Sequence, residues 1–299
     1  MRAFLAGALE RGLYHPLRAL PTPLVSRVGA WLGRRVAPAL YPGQDALARA
    51  ALRALRPGAP EDEALRAMWG NLGASFAEMA RILRFWDEGR VEVSGAARLL
   101  AAKRDGPVLV AGLHLGNPEV LGLALARLGL RPVGVATRQP TDFRERTITG
   151  IRLRGGGRMI RADRDAMRPA LSVLRGGEET LLFWMDDYAR GRVNGPSLGR
   201  GPPRAGNIPL AARLARMSGC ALVPGFVERL PGARFRAVFL PPVALPAPTG
   251  DRAADLAADA AALDAALDPV VRARLEQWFF TIAWRPEGGA RAPGGVPPG

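Results

Sequence analysis

The sequence predicts an α/β protein in which helices flank a central mixed sheet, preceded by a helical N-terminal region. Residues 1–90 show apolar periodicity typical of helices and few β-rich runs, whereas from residue 91 short apolar runs alternate with helical patterns. Alternation of this kind is typical of a sheet covered by helices. The chain has 299 residues and is 48% hydrophobic, which suffices for a large buried core.

The N-terminal region, residues 1–90, contains an amphipathic segment at 24–41 (LVSRVGAWLGRRVAPALY). The apolar side chains near one face of this predicted helix are Leu24, Val28, Trp31, Leu32 and Val36. The basic side chains that lie mostly off that face are Arg27, Arg34 and Arg35. Two interpretations are open: the helix lies in a membrane interface, or it packs on the core as an ordinary amphipathic helix. We expect the whole region to associate with a membrane.

Strand character appears from residue 91 in short apolar runs, which are VEVSG, PVLVAGL, RPVGVAT, GRMIRA, ETLLFWM, CALVPGFVE and FRAVFLPPV. Helical patterns at 119–129, 165–176 and 208–219 alternate with them, and 251–284 predicts one or two further helices. We expect 91–285 to form the α/β core, in one domain with the N-terminal region. The Pro/Gly-rich residues 286–299 predict a disordered tail.

The composition restricts the partners. The formal net charge is +15, and Lys103 is the only lysine. This surplus of arginine favours an anionic partner, although a GC-rich coding bias accounts for part of it. Cys220 is the only cysteine, so neither a disulfide framework nor a cysteine-based metal site is expected. No window approaches the roughly 20 apolar residues of a membrane span, and no export signal is recognisable. A reduced, cytoplasm-facing protein fits these features.

The stretch 111–120, AGLHLGNPEV, predicts a strand, a tight turn and a helix start. Val108 to Val110 form an apolar run typical of a buried strand. Asn117 is a strong N-cap, Pro118 suits the first helical position, and Glu119 falls in the first turn. His114 is therefore expected at the carboxyl end of a strand, where open α/β sheets place their ligands.

A histidine and a carboxylate at this spacing can form a general base. We expect the turn to fold His114 back towards Glu119, which would select the tautomer and stabilise the imidazolium. Backbone N–H groups around Gly116 and Asn117 at the helix start could bind a developing oxyanion. The alternative is that His114 only bonds the backbone at a strand end, while Glu119 favours the helix dipole.

HLGNPE resembles the H-x-x-x-x-[DE] signature (HX4E) of the glycerolipid acyltransferase superfamily. Within it, the segment is similar to the bacterial lipid A lauroyl/myristoyl acyltransferases and the phosphatidylinositol mannoside acyltransferases. Further segments resemble family blocks in the right order from about residue 20 to 285. They are WGNLGASFAEMARI at 69–82, LFWMDDYARG at 182–191, the block from NIPLAARLA to FLPPV, and VRARLEQWFFTIAW, which resembles a terminal helix.

The resemblance implies a glycerolipid-acyltransferase-like fold and transfer of a fatty acyl chain from a carrier thioester to a lipid hydroxyl. His114 would be the base and Glu119 its support. The donor would be acyl carrier protein or acyl-CoA as co-substrate, with no cofactor and no metal. The resemblance also implies a peripheral protein at the cytoplasmic face of the inner membrane. The acceptor stays open among a lipid A precursor, a lysophospholipid, an ornithine lipid and a glycolipid.

Other residues in the resembling segments are further candidates. In MDDY, Asp187 is a rival to Glu119 as the carboxylate that orients the histidine, because some relatives use a carboxylate in this region; the alternative is a loop cap. Arginine forks match phosphate oxygens. Arg138, Arg152, Arg154 and Arg190 are therefore candidates for binding substrate. Gly116 and Asn117, in the turn after His114, complete the candidate substrate-binding residues. In so arginine-rich a chain, the alternative for each arginine is a solvated surface position.

Two other functions compete with acyl transfer. A lipid or thioester hydrolase could use the same scaffold, with water in place of the acceptor. A non-catalytic binder of anionic membranes or nucleic acid would need only the charge, and it would bind in a strongly salt-dependent way. The scattered basic residues and the absence of a nucleic-acid-binding motif favour no nucleic acid partner.

Overall fold

The computed structural model describes residues 11–12, 14–163, 165–189 and 191–286. Residues 14–19 are helical, and the helices that follow before residue 91 are α1 (Thr22–Arg35), α2 (Ala37–Leu40), α3 (Pro42–Leu55) and α4 (Glu61–Glu78). The later helices are α5 (Ala96–Asp105), α6 (Glu119–Arg127), α7 (Asp142–Arg154), α8 (Met167–Gly176), α9 (Asn207–Ser218) and α10 (Arg252–Arg272). Short 3-10 turns are at Ile82–Arg84, Leu275–Gln277 and Phe279–Ile282.

The strands match the predicted apolar runs. The strands of the central sheet are β1 (Val91–Ser94), β2 (Val108–Gly112), β3 (Pro132–Ala136), β4 (Arg158–Arg161), β5 (Thr180–Trp184), β8 (Ala221–Leu230) and β9 (Arg234–Phe239). A separate two-stranded antiparallel ribbon is formed by β6 (Tyr188–Ala189) and β7 (Arg192–Val193).

The seven-stranded sheet has the order β1-β9-β8-β2-β5-β3-β4. The pairing is parallel except between β8 and β9, which are antiparallel. The prediction of a mixed α/β sheet flanked by helices, with a helical N-terminal region, is confirmed. The carboxyl ends of β2 and β5 lie side by side, because Gly112 is in register with Trp184.

Separate apolar clusters cover the two faces of the sheet because side chains alternate along each strand. Leu109, Ala111 and Leu113 face the cluster formed with α3, α4, α8, α9 and α10. Val108 and Val110, together with Leu182 and Trp184, face the cluster formed with α5, α6 and the turn at Ile82–Arg84. Strands buried on both faces explain the continuous apolar runs in the sequence.

Helix α1 packs on α4 through small residues. A Cβ on Gly33 would lie 2.0 Å from the carbonyl oxygen of Trp69, and one on Gly29 would lie 2.5 Å from that of Gly73. The predicted apolar face of this segment is therefore not the buried one. Trp31 is 57% exposed and Leu24 38% exposed, whereas Gly29 and Gly33 are buried. Helix α1 therefore packs on α4, but the closest approach is at Gly29 and Gly33, whereas Leu24, Trp31 and Val36 of the predicted apolar face are exposed.

The C-terminal segment resembling a terminal helix does not continue as one. Helix α10 ends at Arg272, and the chain then pairs with the turn after β2. The Gly116 N–H donates to Gln277 O, and the Phe279 N–H donates to His114 O. These bridges replace helical hydrogen bonds. Trp278 and Trp284 are buried in the core. Apart from Pro286, the predicted tail lies outside the described residues.

Candidate active site

His114 lies two residues beyond the end of β2, at the carboxyl edge of the sheet. Asp186 lies two residues beyond the end of β5. Because β2 and β5 are neighbours in parallel register, the sheet brings these two positions together although 72 residues separate them.

Asp186 holds His114 through both carboxylate oxygens. Oδ1 lies 2.7 Å from His114 Nδ1, and Oδ2 accepts a 2.7 Å hydrogen bond from the His114 backbone N–H. The Trp278 indole N–H also donates to Oδ2, at 2.9 Å. The Asp186 side chain is fully buried, and that of His114 is 25% exposed. With Nδ1 engaged, Nε2 is the nitrogen that can accept a proton.

The expected pairing of Glu119 with His114 is wrong in this structure. The Glu119 carboxylate receives hydrogen bonds from Arg152 on α7, at 2.9 Å from Nε and 2.5 Å from Nη2. Burial lowers the pKa of Arg152, but attraction to and hydrogen bonding with Glu119 outweigh it and hold that pKa above its usual value. Glu119 is the first residue of α6, and its side chain joins α6 to α7 instead of folding back across the turn.

Asp187, the rival carboxylate, does not contact His114 either. It accepts hydrogen bonds from the Asn207 backbone N–H at 2.9 Å and from Asn194 Nδ2 at 2.6 Å. Burial raises the pKa of Asp187, these hydrogen bonds oppose that shift, and the neighbouring Asp186 carboxylate adds to it. The alternative role as a loop cap is the one observed, because Asp187 holds the first residue of α9. The carboxylate that contacts His114 is that of Asp186, one residue before Asp187.

The turn after His114 is fixed by contacts that the sequence did not predict. Gly116 has a φ of +61°, which favours glycine. A Cβ there would also lie 2.6 Å from Val227 O. The Gly116 N–H is bonded to Gln277 O, so it is not available for an oxyanion. The Asn117 side chain does not cap α6 as predicted; its amide donates to Glu78 Oε2 at 3.0 Å.

A buried polar cluster on α4 supports this turn. Glu78 is fully buried and accepts hydrogen bonds from Ser26, Asn117 and both terminal nitrogens of Arg229. Ser75 Oγ lies 2.7 Å from the carbonyl oxygen of Gly116. Ser75 and Glu78 lie in the segment 69–82 that resembles a family helix. The structure gives a physical reason for this pattern of residues, since their side chains bond Gly116 and Asn117 in the turn after His114.

Aromatic side chains surround the His114 ring. Its centroid lies 4.2 Å from the Trp184 ring, 5.4 Å from Phe280 and 6.4 Å from Phe279. Phe279 also contacts Phe76, which is 41% exposed. The histidine therefore opens towards an apolar surface. The contact of Phe279 and Phe280 with His114 was not predicted, because more than 160 residues separate them from it along the chain.

The candidate arginines lie in different places. Arg138 follows β3 at the same edge of the sheet as His114; its side chain is exposed and pairs with Asp142 at 2.7 Å. Arg154 ends α7 and lines a surface depression with Arg127 and Arg131, where the chain enters β3. That is the edge at which the parallel strands begin, opposite the edge of His114. The structure therefore does not bring Arg154 to the histidine. Arg190 lies outside the described residues.

Within the part of the chain that the structure describes, no group of three or more His, Cys, Asp or Glu side chains is placed to hold a metal ion. Within the same residues, no helix is both long enough and apolar enough to cross a bilayer.

The fold is a sheet covered by helices, with a histidine–carboxylate pair at the carboxyl edge of its strands. These two features together indicate the kind of protein. They are typical of enzymes that deprotonate a hydroxyl group with a carboxylate-oriented imidazole. The chain belongs to the bacterial lipid A biosynthesis acyltransferase family, whose family model matches residues 6–283. Membership implies an acyltransferase that acts on lipid. A comparison with curated proteins finds no match.

Proposed function

We propose that this protein transfers a fatty acyl chain from a carrier thioester to a hydroxyl group of a membrane lipid, with His114 as general base. The observation that carries the proposal is the 2.7 Å contact between His114 Nδ1 and the fully buried Asp186 carboxylate. This contact fixes the tautomer in which Nε2 is unprotonated and can take a proton.

The proposed reaction needs only the two substrates and this pair. Nε2 of His114 takes the proton of the acceptor hydroxyl while its oxygen attacks the thioester carbonyl carbon. The tetrahedral intermediate collapses, the C–S bond breaks, and the imidazolium returns the proton to the departing thiolate. Asp186 stabilises the imidazolium that exists between these two transfers. The donor is acyl carrier protein or acyl-CoA.

An apolar groove beside the histidine supports the acyl substrate. Trp184 lines this groove, and its ring lies 4.2 Å from the His114 ring; Pro118 and Glu119, a few residues after His114, line the groove as well. A thioester carbonyl near Nε2 would therefore have its chain directed over Trp184 into the groove. Glu119, which is paired with Arg152, then forms part of the wall of the acyl-binding groove and does not contact His114.

A peripheral position at the cytoplasmic face of the inner membrane is part of the proposal. The exposed apolar side chains of the N-terminal helices include Leu24, Trp31, Val36, Leu40 and Tyr41. Arg27, Arg34 and Arg35 are exposed on the same helix as Trp31. Apolar side chains flanked by arginine favour adsorption to an anionic bilayer surface.

The test compares wild type with His114→Gln. Purified protein is incubated with acyl carrier protein thioester and a total lipid extract, and products are separated by mass spectrometry. We expect acylated lipid from wild type and at least a hundredfold slower transfer from the variant, as general-base loss costs about 10²–10⁴. Unchanged transfer by folded His114→Gln would contradict the assignment. Formation of free fatty acid without acylated lipid would favour a hydrolase instead.

A further inference from the structure

The groove next to His114 runs along one face of the sheet. Apart from Glu119, Arg152 and Arg158, the residues that line it are apolar or glycine. Trp184, Leu182 and Gly134 form its floor on β5 and β3, and the roof includes Gly122 from α6. It continues to Pro132 at the start of β3. Because Pro132 pairs with Thr180, the groove spans four residues of strand from Trp184, about 13 Å.

Two glycines keep the groove open at the level of Leu182. Gly134 is in register with Leu182 in the floor. Gly122 faces Leu182 from the roof, since a Cβ added there would meet only Leu182 Cδ2, at 3.9 Å. Any larger side chain at Gly122 would therefore enter the groove. Neither glycine has a positive φ, so backbone conformation does not explain them.

Met159 has a flexible side chain next to Gly134, at the level of Leu182 in the groove. It is in register with Gly134 on the neighbouring strand. Its Cε and Sδ atoms lie 3.1 and 3.2 Å from the position of a Gly134 Cβ. The thioether therefore occupies the space that a side chain on Gly134 would take. Methionine adapts its shape readily, so it can border a flexible apolar ligand.

We propose that Gly122, Gly134 and Met159 determine the length of the acyl chain that the groove accepts, an inference that rests on the proposed function. The chain enters beside Trp184 and passes between the two glycines at Leu182. Each methylene group buried beyond that level adds roughly fourfold to the affinity. A side chain at Gly122 blocks this passage and removes the gain for longer chains. Shortening Met159 widens it.

The experiment measures binding of free fatty acids to the purified full chain. Octanoate, laurate and palmitate compete with the fluorescent fatty acid cis-parinarate against wild type, Gly122→Ala, Gly122→Leu and Met159→Ala. Gly43→Ala is the matched control, because Gly43 lies in helix α3 with no atom within 4 Å of an added Cβ. Thermal unfolding of each variant accompanies the titrations.

We expect the palmitate-to-octanoate affinity ratio to fall roughly tenfold in Gly122→Leu, equivalent to about two buried methylene groups, and less in Gly122→Ala. Met159→Ala should raise the ratio, and Gly43→Ala should leave it unchanged. Gly122→Ala places alanine where glycine is unfavourable in a helix, so it should not destabilise the fold and keeps the test valid if Gly122→Leu fails to fold. An unchanged ratio in Gly122→Ala and Met159→Ala, or no fatty acid binding by wild type, would overturn the inference.

A second measurement separates this inference from the proposed function. The same proteins receive an equimolar mixture of octanoyl, lauroyl and palmitoyl carrier thioesters with total lipid extract, and the acyl chains in the lipid product are identified. Transfer with unaltered chain preference in the Gly122 variants would refute the length determinant and leave the function standing. Length-dependent binding that the variants alter, without any acyl transfer, would refute the function and retain the groove.

Discussion

The proposed proton transfer depends on two residues, His114 and Asp186. Asp186 is buried, accepts three hydrogen bonds and has its full carboxylate directed at His114 and Trp278. Asparagine has the same shape but one neutral amide in place of a carboxylate oxygen. The substitution therefore tests the charge at nearly constant packing.

We predict that Asp186→Asn lowers kcat for acyl transfer by two to four orders of magnitude, roughly the range found when a base loses its oriented partner. KM for the carrier thioester should change little, because Asp186 does not line the groove. Steady-state kinetics on total lipid extract measure both constants. Asp187→Asn is the matched control, since it changes the adjacent carboxylate; an equal kcat loss in both variants would argue against a specific role for Asp186.

The ion pair between Glu119 and Arg152 is a second residue-scale feature. Their side chains are 12% and 20% exposed, so solvent screens the pair only partly. A double-mutant cycle of Glu119→Gln and Arg152→Gln should give a coupling energy of about 1–3 kcal/mol in the free energy of unfolding. Glu119→Gln with His114→Gln should be additive in the same denaturant measurement. Strong coupling in the second cycle and none in the first would restore the original pairing of Glu119 with the histidine.

Helix α4 holds the turn that follows His114, through Ser75 and Glu78. Glu78 is fully buried and its Arg229 partner is 10% exposed, so neither charge is solvated if the other is lost. A pair of this kind adds little net stability when intact, but removal of one partner is costly. The cost would fall on α1, β8 and the turn together, because Ser26, Arg229 and Asn117 all bond Glu78.

We predict that Glu78→Ala lowers the free energy of unfolding by about 3–5 kcal/mol. Glu63→Ala, an exposed glutamate of the same helix, should change it by less than about 0.5 kcal/mol. Chemical denaturation of the purified proteins followed by circular dichroism gives both values. A loss in Glu78→Ala no larger than in Glu63→Ala would mean that the cluster does not hold the turn.

At the scale of the whole molecule, charge and exposed apolar surface act together. The net charge is +15, and Trp31 is 57% exposed on α1. Electrostatic attraction to an anionic surface weakens as salt screens it, while burial of an indole does not. Membrane adsorption should therefore have one salt-sensitive and one salt-insensitive part.

We predict that the full chain sediments with vesicles containing anionic phospholipid, and that raising the salt concentration from 0.05 to 0.5 M releases most of it. This rise in salt concentration shortens the Debye length from roughly 14 to 4 Å. Trp31→Ser should reduce binding at both concentrations. Met217→Ser, which alters another exposed apolar side chain, is the control. Equal losses in the two variants would show that α1 is not the membrane-binding face.

Features that depend on neighbours along the chain could be predicted from the sequence. The order of strands and helices followed from apolar periodicity, and the position of His114 at the end of a strand followed from the apolar run before it. The resemblance to the family also followed from motifs that occur in the same order along the chain. Each of these patterns is local, because alternation and helical spacing arise within a few residues.

Three features depend on contacts between segments that are distant in sequence: the carboxylate that meets the histidine, the buried face of α1 and the contacts of the C-terminal aromatics. Asp186 reaches His114 because β5 lies beside β2, a neighbourhood that no local pattern specifies. The buried face of α1 follows from close backbone approach at Gly29 and Gly33, which hydrophobicity does not reveal. Asp186 and Asp187 are adjacent in sequence but have different partners, because Asp186 contacts His114 beside β2 whereas Asp187 accepts a hydrogen bond from the first residue of α9.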